Sequence, residues 1–244
     1  MVKISDKIPW LRGRDQIIVA NNRHFARFDQ NRKFGDCSFV VFDTELTGLN
    51  PKKDEIISIG AVRIKDLQIN LSETFHCYIR PKNRQHTQAT LIHRITPQQL
   101  EAAPPLEDVL PMFLNFIEID LLVGHCVQID TNFLDKATRL LFKGTVANPS
   151  FDTMRMAQIY KRKVLGDFDS AQPSGDGRYN LQKLSAELNL PFFEAHDALE
   201  DALQTAYLFI FLVKKLQSVG VITLRDLLTA GKEIDWAARK ADGV

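Results

Sequence analysis

Cysteine is scarce in this chain: Cys37, Cys77 and Cys126 are the only three in 244 residues, far apart and without a CxxC pair. That pattern excludes a disulfide framework or a thiolate zinc cluster and fits thiols in a reducing compartment. Long apolar runs are also missing. None approaches the ~20 residues needed to span a bilayer, and the opening MVKISDKIPWLRGRDQ lacks the apolar segment of a secretion signal. A membrane protein is therefore not expected, and a cytoplasmic location is. Net charge is only +1, too little for long-range wrapping of duplex nucleic acid. No internal repeat or low-complexity tract occurs.

What charge there is lies unevenly. Residues 1–36 carry eight lysines and arginines against four aspartates, a local +4 that leaves −3 for the rest. They read as a basic N-terminal extension standing apart from the main domain, either a solvated arm or a nucleic-acid contact. From Ser38 the pattern becomes regular. SFVVFDTE reads as a strand buried on both faces, because β-branched and aromatic residues run without alternation. EIISIGAVRI and ETFHCYIRP are two further strands joined by the polar KDLQINLS; DLLVGH and PSFDT are short ones. Helical spacing runs through the second half of TPQQLEAAPPLEDVLPMFLNFIEI, then IDTNFLDKATRLLF, Met154–Tyr160, NLQKLSAELNL and AHDALEDALQTAYLFIFLVKKL. The crowd of Gly, Pro, Ser and Asp at 166–179 is a loop. Two short helices, TLRDLLTA and EIDWAARK, are expected in a C-terminal helical extension over 219–244. Strands first, then helices alternating with strands, give an α/β domain over 37–218.

Three segments bear chemistry. In VFDTELTGL, Asp43 and Glu45 are two apart on a strand and share a face. Two like charges so placed repel unless a cation lies between them, and the Thr47-Gly48 turn sets them at the strand's carboxyl end, where α/β sheets build sites. Alone, D-x-E reads rather as a solvated strand end. In VGHCVQIDTNFLD, Asp130 stands near a helix start, where an aspartate is often just a cap. In EAHDALEDALQTAYLF, Asp197 and Glu200 form a capping-box pattern that starts a helix at Asp197. His196 is then on the entering loop and Asp201 about one turn inside. Ala198, Ala202 and Ala206 are small enough to let that helix approach a sheet closely.

Together, in this order and spacing over about residues 38–212, these motifs resemble the DEDD exonucleases of the subgroup with a histidine five residues before the last aspartate. The nearest kin in pattern are the DnaQ-like proofreading epsilon subunits of bacterial DNA polymerase III. Supporting stretches are HRITPQQLEAAPPLEDVLPMF, FDTMRMA and YNLQKLSAEL. The resemblance implies an RNase H-like fold, a mixed five-stranded sheet flanked by helices. It implies two divalent ions, Mg²⁺ or Mn²⁺, on Asp43, Glu45, Asp130 and Asp201, with His196 as general base. It implies 3′–5′ hydrolysis of single-stranded nucleic acid ends in a bacterial cytoplasm, with DNA favoured over RNA. Leu46, Thr47, Gly48, His93 and Cys126 become candidate substrate contacts. Leu46, Cys126 and Ile129 depart from the usual threonine, asparagine and phenylalanine, and Arg94 from the usual glycine. The first three departures bear on base and sugar contacts rather than on the chemistry. A DNA polymerase is the partner that this kinship implies, although no Gln- or Pro-rich linker marks a dedicated tether. Structural roles are expected for His76, His93 and His125. Phe168, Tyr179 and Phe192 are candidates to line a single-strand path, with Phe192 better placed in the core.

Overall fold

A computed structural model describes residues 14–83, 95–167, 177–194 and 196–241. Its centre is β1 (Phe39–Leu46), flanked by β2 (Ile56–Lys65) and β3 (Gln68–Tyr78) on one side and by β4 (Leu121–Gly124) and β5 (Ser150–Asp152) on the other. The order is β3-β2-β1-β4-β5, antiparallel from β1 to β3 and parallel from β1 to β5. This is the expected mixed five-stranded sheet. β1 alternates between two cores: Phe39 and Val41 belong to one, Val40 and Phe42 to the other. Burial on both faces explains why its sequence shows no polar alternation.

Helices cover both faces. In chain order they are α1 (Arg14–Phe25), α2 (Pro97–Ala102), α3 (Leu106–Ile117), α4 (Gln128–Phe142), α5 (Thr153–Leu165), α6 (Leu181–Glu187), α7 (Ala198–Gln217) and α8 (Leu224–Ala241). Leu208, Phe209 and Leu212 of α7 fill the first core with α5; Phe113 of α3 and Phe133 of α4 fill the second.

Several expectations are corrected. The polar KDLQINLS is not only a connection: Asp66 and Leu67, both at positive φ (52° and 56°), make a two-residue turn and β3 begins at once with Gln68. Twisted hairpins favour such paired positive φ values, and β3 is an edge strand with one exposed face, so it tolerates the polar residues. The C-terminal stretch forms the single helix α8, not two short ones. Gly231 lies inside it at a cost of about 1 kcal/mol relative to alanine, but its carbonyl accepts Arg155 Nη2 at 2.8 Å, and Leu224, Leu227 and Ala230 are buried. Phe192 is 74% exposed rather than in the core, whereas Tyr179 is only 6% exposed and packs within it. Phe168 and His93 lie outside the described residues.

Residues 14–36 do not stand apart either. Ile18 of α1 is buried in the second core. It rests on Gly144, where a Cβ would come within 2.8 Å of its Cγ2. Asn21 donates to Asn148 Oδ1 at 2.6 Å and accepts Ala147 N–H at 2.7 Å. Asn148 in turn donates to the carbonyls of Asp120 and Glu118, so this buried amide pair is well satisfied. Truncating one member leaves buried donors and acceptors without partners. Asn21→Ala is therefore expected to cost about 1–3 kcal/mol, read as a lower urea midpoint with an unchanged slope.

Candidate active site

The carboxyl end of β1 presents Asp43 and Glu45 on the face that α7 covers. Asp43 is paired with Gly60 of β2, and Glu45 with Ser58. Gly60 decides how closely α7 can approach: a Cβ there would lie 2.1 Å from the carbonyl carbon of Ala198 and from Leu199 N. With no side chain at 60 and alanines at 198, 202 and 206, all essentially buried, the helix's first turn rests directly on the sheet. The expectation drawn from those alanines holds. A lone glycine inside the EIISIGAVRI strand pattern is itself a signal of close backbone approach, though Gly60 is absent from the residues picked from sequence.

α7 starts where the capping pattern places it. Asp197 is the N-cap and accepts from Leu199 N (3.0 Å) and Glu200 N (3.2 Å). The return bond differs: Glu200 takes Glu194 N–H at 2.6 Å instead. Asp201 in the first turn is fixed from two sides, by His196 N–H on Oδ2 at 3.0 Å and by Gln182 Nε2 of α6 on Oδ1 at 3.2 Å. His196 has φ 73°, and its side chain is exposed at the rim.

Asp43, Glu45 and Asp201, each half-buried, offer carboxylate oxygens that all lie within 4.8 Å of one another. Asp130 stays outside this trio. It is 5% exposed and accepts Thr44 N–H at 3.0 Å and Thr44 Oγ1–H at 2.5 Å, so it locks α4 to β1 from the other face. It remains near enough to be the strongest of the charges acting on Asp43.

Electrostatically the site is strained. Burial first, and then the charges of Asp130, Asp201, Glu45 and Asp197, hold Asp43 well above the ordinary carboxylate range. Burial, then Asp201, Asp197 and Asp130, push Glu45 up to about 7. Burial lifts Asp130 to about 7 against the Thr44 hydrogen bonds, and burial raises Asp201 against the His196 N–H. Among the described residues no lysine or arginine pairs with Asp43, Glu45 or Asp201. Oxygen-only, acid-rich and rigidly backed, the trio suits a hard divalent cation, which would relieve the repulsion.

The remaining candidates sit at the edges. Leu46 is buried in the second core. Thr47 donates its N–H to the Glu55 carbonyl and accepts Glu55 N–H on Oγ1, both at 2.9 Å. Gly48 abuts Asp54, whose Oδ2 a Cβ would meet at 2.5 Å. Cys126 has φ 56°, a region where asparagine is favoured; its thiol lies 3.6 Å from Met154 Sδ, and burial pushes its pKa up to about 11. Sequence reading also passed over Thr44, Gln182 and Asp152. The last accepts Cys126 N–H and Met154 N–H and so ties together the turns after β4 and β5. His125 is structural, as expected: Nδ1 meets Thr153 Oγ1 at 2.9 Å and Nε2 the Tyr179 carbonyl at 2.7 Å.

Two outcomes follow from this geometry. Glu45 and Asp130 titrate near 7 when folded, against 4.5 and 3.8 ordinarily, so the folded state retains protons that the unfolded chain has released. Stability of the metal-free protein is then fully present below about pH 4 and lost as pH rises toward about 7. Its Tm is expected to fall between about pH 4 and 7, and Glu45→Gln to flatten that fall. A methyl at position 60 overpacks against backbone, at about 1–3 kcal/mol. Gly60→Ala is expected to lower Tm by roughly 2–12 °C, measured by calorimetry.

The exonuclease family's sequence profile (RNase T type) matches residues 40–209. The PolC-type DNA polymerase III of Thermotoga maritima is 34% identical over 207 residues, covering 85% of this chain and 14% of that protein. The enzyme of the same description from Caldanaerobacter subterraneus is 33% identical over 189 residues, 78% of this chain and 12% of that one. The chain thus spans about a seventh of the length of these relatives. Among solved structures, an exonuclease X bound to 5′-overhanging duplex DNA superposes with TM-score 0.57 at 23% identity, covering 79% of this chain and 99% of that one. Exonuclease I of E. coli bound to a dT13 oligonucleotide gives 0.61 at 19%, covering 75% and 42%. At those identities the structural likeness speaks to the fold. Taken with the profile match and with the motifs set around one acidic site, the chain belongs to the exonuclease family, as a DnaQ-like member of the DEDDh type.

Proposed function

We propose that this protein is a metal-dependent 3′–5′ exonuclease that removes nucleoside 5′-monophosphates from single-stranded DNA ends. The observation that carries the reading is the convergence of Asp43, Glu45 and Asp201 from two distant segments onto one acidic point. Two divalent ions, Mg²⁺ or Mn²⁺, would be held by these carboxylates with Asp130 behind them, and when bound they neutralise charge on the attacking and departing oxygens of the phosphodiester.

The chain's own groups supply the rest. β1 is buried on both faces and fixes Asp43 and Glu45, because rigid backbone keeps ligands in register. Asp130 clamps Thr44 between them. His196 is exposed at the rim and accepts the proton of the attacking water. Its backbone N–H is bonded to Asp201, so base and carboxylate keep a constant relation. Main-chain groups of Leu46, Thr47 and Gly48 border the terminal nucleotide, with His93 and Cys126 as further contacts. DNA is favoured over RNA because relatives such as those of Thermotoga maritima and Caldanaerobacter subterraneus, above 30% identity, are DNA polymerases. For the same reason we place the activity beside a DNA polymerase.

The expected outcomes are clear-cut. Asp43→Asn and Asp201→Asn abolish release of 5′-mononucleotides from a labelled DNA oligonucleotide while keeping the far-ultraviolet circular dichroism of the parent. His196→Ala slows turnover by about 10²–10⁴-fold. Near-parental rates in these variants, or faster trimming of a matched RNA oligonucleotide, would contradict the corresponding part of the reading.

A further inference from the structure

On the sheet face opposite α7, beside the loop that follows Glu45, lies a cavity of about 270 Å³. Its floor is apolar, with Ile56, Ile79 and Phe133. Its rim is cationic, carrying Lys52, Lys53, Arg80, Lys82 and Lys136. Among the described residues, the acids in its wall are Asp54 and Glu55, both engaged locally. Glu55 accepts Lys82 N–H, Asn83 N–H and Asn83 Nδ2–H at 2.6–3.2 Å, and Asp54 accepts Asn50 N–H at 2.8 Å. Lys136 is half-buried, with Nζ on the Asp54 carbonyl at 2.9 Å. Lys82 faces Glu107 at 2.6 Å. Lys52 and Lys53 are exposed and have no acidic partner among the described residues.

Resting on the exonuclease reading, we propose that this cavity is an upstream subsite, holding phosphate and base of the substrate strand on the 5′ side of the bond to be cut. Three observations converge. The wall is continuous with the site: Thr47 is bonded to Glu55 on both sides of its backbone pairing, and Gly48 packs on Asp54. The same helix carries Asp130 and, six residues on, Lys136 in the cavity wall, about 9 Å along the axis. Charge changes sign over that span, from a catalytic end ringed by carboxylates to a rim of five cations. A polyanion must be held by cations beyond the reach of the metal-binding carboxylates, and an apolar floor accepts any base without reading it.

The test compares two substrates with the full chain and Mg²⁺: the p-nitrophenyl ester of thymidine 5′-monophosphate, too short to reach the cavity, and a dT10 oligonucleotide. Lys52→Glu/Lys53→Glu is expected to raise KM for dT10 about tenfold with kcat within twofold, and to leave the ester's kcat/KM within twofold. Losing two phosphate contacts also flattens the slope of log(kcat/KM) against log[salt] by about 1.4. The milder Lys52→Ala/Lys53→Ala should move KM in the same direction by a smaller factor. If the parent protein cleaves both substrates and the charge-reversed variant matches it on dT10, the subsite is overturned and the rim is left to an acidic protein partner. If the parent cleaves neither, the exonuclease reading falls, and the subsite with it.

Discussion

Everything about the site depends on the repulsion among four carboxylates that the fold forces together. Left to themselves, such charges spread apart or take up protons; burial above all, and at Asp43 and Glu45 the neighbouring carboxylates as well, holds the four groups above the ordinary carboxylate range. What resists it is backbone. β1 is fixed by strands on both sides, and α7 is pressed onto β2 by the absence of any side chain at Gly60. Asp130 is held by two bonds to Thr44 rather than by a charge. The apolar packing of two cores thereby keeps in place an electrostatic arrangement that no local preference would choose.

The division of labour between the two cores is equally physical. One core seats α7 and delivers Asp201 from the far end of the chain. The other seats α4 and delivers Asp130 around the sheet's edge. Because β1 contributes alternate residues to both, the strand is the shared datum from which both acids are measured. A small shift of either helix would change distances to Asp43 without unfolding anything.

Much of this was legible before any coordinates. The unalternating SFVVFDTE run meant a strand buried on both faces, and the capping pattern at Asp197 located α7 to the residue. The small alanines announced a close helix–sheet contact. What stayed hidden depends on tertiary partners. Nothing local says that Gly60 would face Ala198, that Gln182 would reach Asp201, or that Phe192 would be left in solvent by a loop pinned through Gln204, which accepts Phe193 N–H and donates to the Pro191 carbonyl. Composition made residues 1–36 look like a detached arm because charge is counted along the sequence. Burial of Ile18 and Asn21 depends instead on Gly144 and Asn148, more than a hundred residues away.

His125 shows how far such contacts reach. The Tyr179 carbonyl can only accept, so the neutral imidazole must carry its hydrogen on Nε2 and present a bare Nδ1 to the Thr153 hydroxyl. That tautomer anchors the chain three residues before Gln182, whose amide steadies Asp201. A partly buried ring with no part in bond breaking therefore helps to position the amide that bonds Asp201.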